Sequence, residues 1–119
     1  KDLVSYEMSF VMSNNTVKLD IIKKGLKLHP SQLSGYEGFI ADVVTKMVIN
    51  RYTQVGSSQF FAIDEGMGVI DSENFEKFTS LLNQMKKHYK NILIISHIDE
   101  VNNLVTHKVE VKHNKLVKK

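Results

Sequence analysis

The sequence predicts one α/β domain with parallel strands at its centre, and three observations carry that prediction. A chain of 119 residues, 42% hydrophobic and 24% charged, has the make-up of one ordinary globular unit with one core. Two runs, 59–63 and 91–96, are apolar without alternation, which suits strands buried on both faces of a parallel sheet. Each follows a longer stretch whose apolar residues recur at three- and four-residue steps, so helix, strand, helix and strand succeed one another. Parallel strands require such crossover connections.

The elements follow in order. From Leu3 to Met12 the residues Val4, Tyr6, Met8, Phe10 and Met12 alternate, the pattern of a strand. Ser13-Asn14-Asn15 is turn chemistry, and Val17, Leu19 and Ile21 resume the alternation, so the two runs predict a hairpin. Lys24-Gly25 permits a second reversal into 26–29, and Pro30 ends that strand. The result is a β-rich N-terminal segment. Ser34 with Glu37 three residues on is a capping box, so a helix begins just after Ser34. Its apolar stripe runs Ile40, Val43, Val44, Met47, Val48 to Arg51, and Gly56-Ser57-Ser58 breaks it. A second helix follows Asp71-Ser72, with Phe75, Phe78, Leu82, Met85 and Tyr89 facing one way. A short helix over 98–106 precedes a terminal β-hairpin, 108–112 and 115–118, turned at His113-Asn114.

Composition excludes several classes of function. There is no cysteine, which removes disulfides, thiolate catalysis, thiolate zinc sites and iron–sulfur clusters and fits an intracellular compartment, cytoplasm or nucleoid/nucleus. No apolar run approaches the roughly 20 residues of a membrane span, so no membrane partner is expected. The chain opens Lys1-Asp2 without the blocks of a signal peptide, as a fragment of a longer protein would. Of the net charge of +3, the segment 107–119 carries five lysines against Glu110, leaving the rest close to neutral. Such a segment is either a solvated end or a surface that meets phosphate.

Candidate chemistry gathers where the buried strands end, because ligands of open α/β sheets bind beyond the strands' carboxyl ends. The first strand ends in Asp64-Glu65 and the second in Ser96-His97. A carboxylate there suits magnesium, and a neighbouring one is free to orient or deprotonate water. The plainer alternatives are a helix cap and a histidine bonded to backbone. At Leu33-Ser34-Gly35-Tyr36-Glu37, a serine cap and a glycine open a helix N-terminus, where free amides and the helix dipole favour an anion. Ordinary capping is the alternative at that point.

In order along the chain, LSGYE, FFAIDEG, GVID and ILIISH together resemble the C-terminal lobe of an ATP-binding-cassette (ABC) ATPase head. Within that superfamily the chain is most similar to the SMC and SbcC-type double-strand-break-repair ATPases. Residues 33–37 match the signature motif, 60–65 Walker B and 66–71 the D-loop, while His97 matches the H-loop switch histidine. Glu37 in the signature and glycine after Asp64-Glu65 favour the repair group over membrane transporters, which more often carry glutamine and proline there. Tyr36 stands where the family has a second glycine, so its ring must point outward to leave the amide facing phosphate, and Gly38 stands where the repair and SMC families often carry a basic residue.

The resemblance implies residue roles and partners. Ser34, Gly35 and Glu37 belong to a motif that contacts the γ-phosphate of ATP held by a second head. Asp64 would hold Mg2+, Glu65 would polarise the attacking water, His97 would sense the γ-phosphate and Asp71 would order the dimer interface. Lys115, Lys118 and Lys119 would meet DNA passing over the head. None of the six glycines is followed by lysine, so the G-x-x-x-x-G-K-S/T phosphate loop is not in this chain. Residues 1–119 are thus expected to be the C-terminal lobe of a split head, inactive alone. The N-terminal Walker A lobe, a second ATPase head (as a homodimer), an SbcD-type nuclease and DNA are the expected partners. An SMC-like chromosome-structure ATPase and a non-catalytic interaction module that keeps the motifs are the alternatives.

Overall fold

The structure is a computed structural model that describes residues 4–52, 59–113 and 115–118. An antiparallel meander comes first: β1 (Glu7–Ser13), β2 (Thr16–Lys23) and β3 (Leu26–Leu28). Met8 pairs with Ile21, Phe10 with Leu19 and Met12 with Val17, so the alternating apolar residues share one face. Both connections are two-residue turns with positive φ throughout, Asn14 at 45° and Asn15 at 62°, then Lys24 at 51° and Gly25 at 77°. That is the turn whose twist matches a hairpin, which asparagine and glycine favour. The strand is shorter at its start than the alternation predicts. Val4 to Tyr6 are not strand, and Lys1–Leu3 lie outside the described residues.

After a tight helical turn at Pro30–Gln32, α1 (Gly35–Tyr52) runs to the edge of the undescribed segment, so the expected break at Gly56-Ser57-Ser58 lies outside the described residues. β4 (Phe60–Asp64), a tight turn at Met67–Val69, α2 (Ser72–Met85) and β5 (Asn91–Ile95) follow. β4 and β5 pair in parallel, Phe60 opposite Asn91 through to Asp64 opposite Ile95. The Asp71 carboxylate caps α2, its Oδ1 accepting from the Asn74 amide at 2.9 Å. Tyr89 lies beyond the end of α2, yet stays buried with its ring 4.9 Å from that of Phe61. The stretch predicted as a helix over 98–106 is a 3-10 helix at Asp99–Leu104, and β6 (Val109–Lys112) with β7 (Lys115–Lys118) forms the terminal hairpin.

The core joins Tyr36, Ile40 and Val43 of α1, Phe61 and Ile63 of β4, and Phe78, Leu81, Leu82 and Met85 of α2. Phe39 and Phe78 link the helices with ring centroids 5.4 Å apart. Both helices therefore pack on one face of the parallel pair. The opposite face, expected to be buried as well, is open: Phe60 is 48% exposed, Leu93 46% and Ile95 47%. The reason is that the described residues supply no layer to cover it. No helix among them is long and apolar enough to cross a membrane.

Phe78 is fully enclosed where α1, α2 and β4 meet. Phe78→Ala should lower the stability of the protein by about 3–5 kcal/mol, read by urea denaturation.

Candidate functional site

Parallel pairing brings the two strand ends to one edge. The Glu65 amide extends the ladder by donating to the Ile95 carbonyl at 2.9 Å. The chain then turns through left-handed backbone, φ 55° at Glu65 and 79° at Gly66. For glutamate this conformation costs on the order of 1–2 kcal/mol, and it breaks the strand's alternation at a candidate catalytic residue. Gly66 is required twice over, since a Cβ there would also lie 2.8 Å from the Phe39 ring of α1. On the neighbouring strand the Ser96 hydroxyl accepts from the Ile98 amide at 3.1 Å, fixing the turn that carries His97. Asp64, Glu65 and His97 are all exposed.

The donor chemistry of Asp64 and Glu65 fits magnesium in its usual nucleotide-bound form, one or two carboxylates completed by phosphate oxygens and water. Among the described residues no three acidic or histidine side chains gather as a metal cage. A small cleft of about 70 Å3 beside Phe39 is lined by Asp42, Lys46, Asp64 and Glu65, with Lys46 paired to Asp42 at 2.6 Å.

The start of α1 is held by the capping box read from sequence. Glu37 N–H donates to Ser34 Oγ at 3.3 Å and Ser34 N–H to Glu37 Oε2 at 3.2 Å. The Ser34 hydroxyl keeps its own proton available to an anion, and the residue is exposed. Gly35 admits Val69 against the helix start, where a Cβ would lie 3.0 Å from a Val69 methyl. The loop after Asp64-Glu65 thus packs on the same helix end, Gly66 on Phe39 and Val69 on Gly35. Asp71, besides capping α2, raises the pKa of the Tyr36 hydroxyl by its charge, second to burial.

Tyr36 departs from expectation. Its ring points inward, 7% exposed, because the first turn of α1 sits on the core beside Ile40 and Phe78. Its hydroxyl is buried, with no hydrogen-bond partner among the described residues.

Glu37 is the most heavily bonded residue of the site. Lys23 of β2 donates to its Oε1 at 2.6 Å, Ser5 to the same oxygen at 3.4 Å, and the Tyr6 hydroxyl to its carbonyl at 2.7 Å. The Lys23 hydrogen bond holds the carboxyl below the usual carboxylate range, against a smaller opposing effect of burial. Burial and then the Glu37 charge push the Tyr6 phenol up to about 12. A cavity of about 290 Å3 opens at this corner, lined by Ser5, Ser34, Tyr36, Glu37, Asn74 and Lys77. Lys77 donates to Asn74 Oδ1 at 3.2 Å. Tyr6, Lys23, Asn74 and Lys77 carry no motif, and only the tertiary fold brings them here. Lys115 and Lys118 stand at the ends of β7, while Lys119 lies outside the described residues.

The fold is that of part of an SMC-type ATPase head. A solved SMC ATPase, studied for ATP-driven dimerization and DNA-stimulated activation, superimposes with a TM-score of 0.65 over 96% of this chain and 73% of that one, at 15% identity. The SMC head domain from Thermotoga maritima does so with a TM-score of 0.58 over 84% of this chain and 38% of that one, at 26% identity. The SbcC component of the nuclease SbcCD from Staphylococcus aureus is 32% identical over 88 residues, 71% of this chain and 9% of that protein. An uncharacterized protein of Acanthamoeba polyphaga mimivirus is 32% identical over 87 residues, 72% of this chain and 6% of that protein. No protein-family profile matches the chain. The chain belongs to the SMC/SbcC-type ATPase heads, and it spans under a tenth of the length of these two sequence relatives.

Because the folded Glu37 carboxyl titrates below its ordinary value, its bonds contribute stability above about pH 4.3 that is lost as pH falls through the lower folded value. Glu37→Gln should destabilise the full-length protein by roughly 1–2 kcal/mol at pH 7, and the gap from wild type should narrow in urea denaturation as pH falls below the ordinary glutamate range.

Proposed function

We propose that residues 1–119 are the C-terminal lobe of an ATP-hydrolysing head that dimerises around ATP and, in a DNA-repair complex, controls an SbcD-type nuclease on DNA ends. One observation carries this reading. The carboxylate-bearing loop and the anion-facing start of α1 are packed into a single junction by the Gly66–Phe39 and Gly35–Val69 contacts. Phosphate and the attacking water need to be held at fixed separation, and phosphoryl transfer depends chiefly on positioning and charge stabilisation. Similarity to the SbcC component of SbcCD and to SMC heads supports the same assignment.

Under this reading the Ser34 hydroxyl and the amides beside Gly35 contact the γ-phosphate of a nucleotide held by the partner head's Walker A loop. Glu37 fixes those groups through Ser34. Asp64 would hold Mg2+, which when bound would supply positive charge to offset that of the phosphates. Glu65 accepts the proton of the attacking water, His97 donates to the γ-phosphate, and Asp71 orders the junction between heads. The open β4–β5 face supports a missing layer, the Walker A lobe. Lys115, Lys118 and Lys119 supply a basic edge for DNA. A second reading, a chromosome-structure SMC ATPase, is favoured by the 26% identity to the Thermotoga head and uses the same site.

In the full-length protein, Glu65→Gln should trap the ATP-bound closed dimer and lower turnover at least about a hundredfold, whereas the 119-residue chain alone should hydrolyse no more ATP than its own Glu65→Gln form. Size-exclusion chromatography with ATP and phosphate release check both. Normal turnover by the full-length variant would remove Glu65 as base, whereas no turnover by the full-length wild type would leave the non-catalytic module.

A further inference from the structure

The geometry points to Lys23, with Tyr6, as positioning residues that tie the N-terminal sheet to the phosphate-facing end of α1. The inference rests on the ATPase reading above and extends it to residues outside every motif. Lys23 ends β2, the central strand of the meander, and Tyr6 lies just before β1. Both reach across to Glu37, one residue that also bonds the Ser34 amide through its second carboxylate oxygen. Lys23 Nζ and Glu37 Oε1 are 2.6 Å apart with the carboxylate side chain only 13% exposed, so the pair is partly shielded from solvent. The Tyr6 hydroxyl takes the Glu37 carbonyl, which fixes the backbone of the first turn as well as its side chain.

The consequence is mechanical. Ser34 and Gly35 are exposed at a helix start, where Ser34 is held by the Glu37 cap and Gly35 also lies against Val69. Glu37 supports them, and Glu37 is oriented from the sheet. A shift of β2 relative to α1 therefore moves the groups that meet phosphate, while leaving Asp64 and Glu65 on the β4–β5 pair where they are. Such a link is selective: it acts on the motif offered to the partner head's nucleotide and not on nucleotide held by the missing lobe. A displacement of about 1 Å at such groups lowers turnover by as much as roughly a hundredfold.

The test uses the full-length protein with Lys23→Met, Lys23→Arg and Tyr6→Phe. Lys23→Met should lower kcat and ATP-driven dimerisation roughly tenfold, with KM for ATP within about twofold of wild type, and Lys23→Arg should recover most of the loss. Tyr6→Phe should fall between wild type and Lys23→Met. Amide hydrogen exchange should quicken over 33–38 in Lys23→Met and stay unchanged over 60–64. Unchanged exchange over 33–38, unchanged kcat, or a loss of kcat that Lys23→Arg does not rescue would each overturn the inference. If the wild-type protein turns over no ATP, the ATPase reading fails by itself, and exchange over 33–38 alone decides whether Lys23 holds the helix end.

Discussion

Everything in this chain depends on two helices packing on the same face of a two-strand parallel sheet. Phe61 and Ile63 point inward from β4, and Phe78 and Met85 of α2 meet them alongside Ile40 and Val43 of α1. Each of these large side chains contributes roughly 1.5–3 kcal/mol by leaving water. That layer fixes the register of β4 against β5, and the register sets Asp64, Glu65 and His97 at one edge. The same layer leaves Phe60, Leu93 and Ile95 on a bare face, a surface a soluble protein rarely leaves uncovered. Among the described residues nothing covers that face, and under the proposed reading the rest of the head does.

The second dependence is polar and lies at the other end of α1. A helix start has unpaired amides whatever its sequence, and here Glu37 determines where they point. Its carboxylate joins the cap of its own helix to a lysine of the N-terminal sheet, while Val69 presses on Gly35 from the opposite side. Hydrophobic packing thus places the carboxylate pair, and a charge-assisted pair places Ser34 and the first turn of α1. The two halves of the site meet where Gly66 lies against Phe39.

Much of this is legible in the sequence because it is local. The Ser34–Glu37 box, the asparagine turn at 14–15, the α2 cap at Asp71 and the terminal hairpin all stand where residue chemistry puts them. The parallel pair is legible from its two unalternating runs, but one-sided burial is not, because a strand awaiting a second layer has the same apolar composition as one already covered. Tyr36 is expected to point outward and instead lies in the core: its place in the first turn follows from sequence, and its direction follows only from packing. Lys23 and Tyr6 are invisible for a related reason. They contact Glu37 across 14 and 31 residues, and no spacing rule connects them. The short 98–106 element has apolar residues at helical spacing but settles as a 3-10 helix, in which only Val101 is buried.

The most direct measurement concerns the bare face. These 119 residues hold no cysteine, so with any cysteine elsewhere in the full-length protein replaced, Leu93→Cys, with exposed Met12→Cys as reference, reports cover at β5 through its rate of reaction with a thiol reagent. If the rest of the head closes over β4–β5, labelling at position 93 should be at least about a hundredfold slower than at position 12 in the folded protein, and equal to it in urea. Equal rates in the folded protein would mean that nothing covers this face, and the account of the chain as one lobe of a larger head would be contradicted.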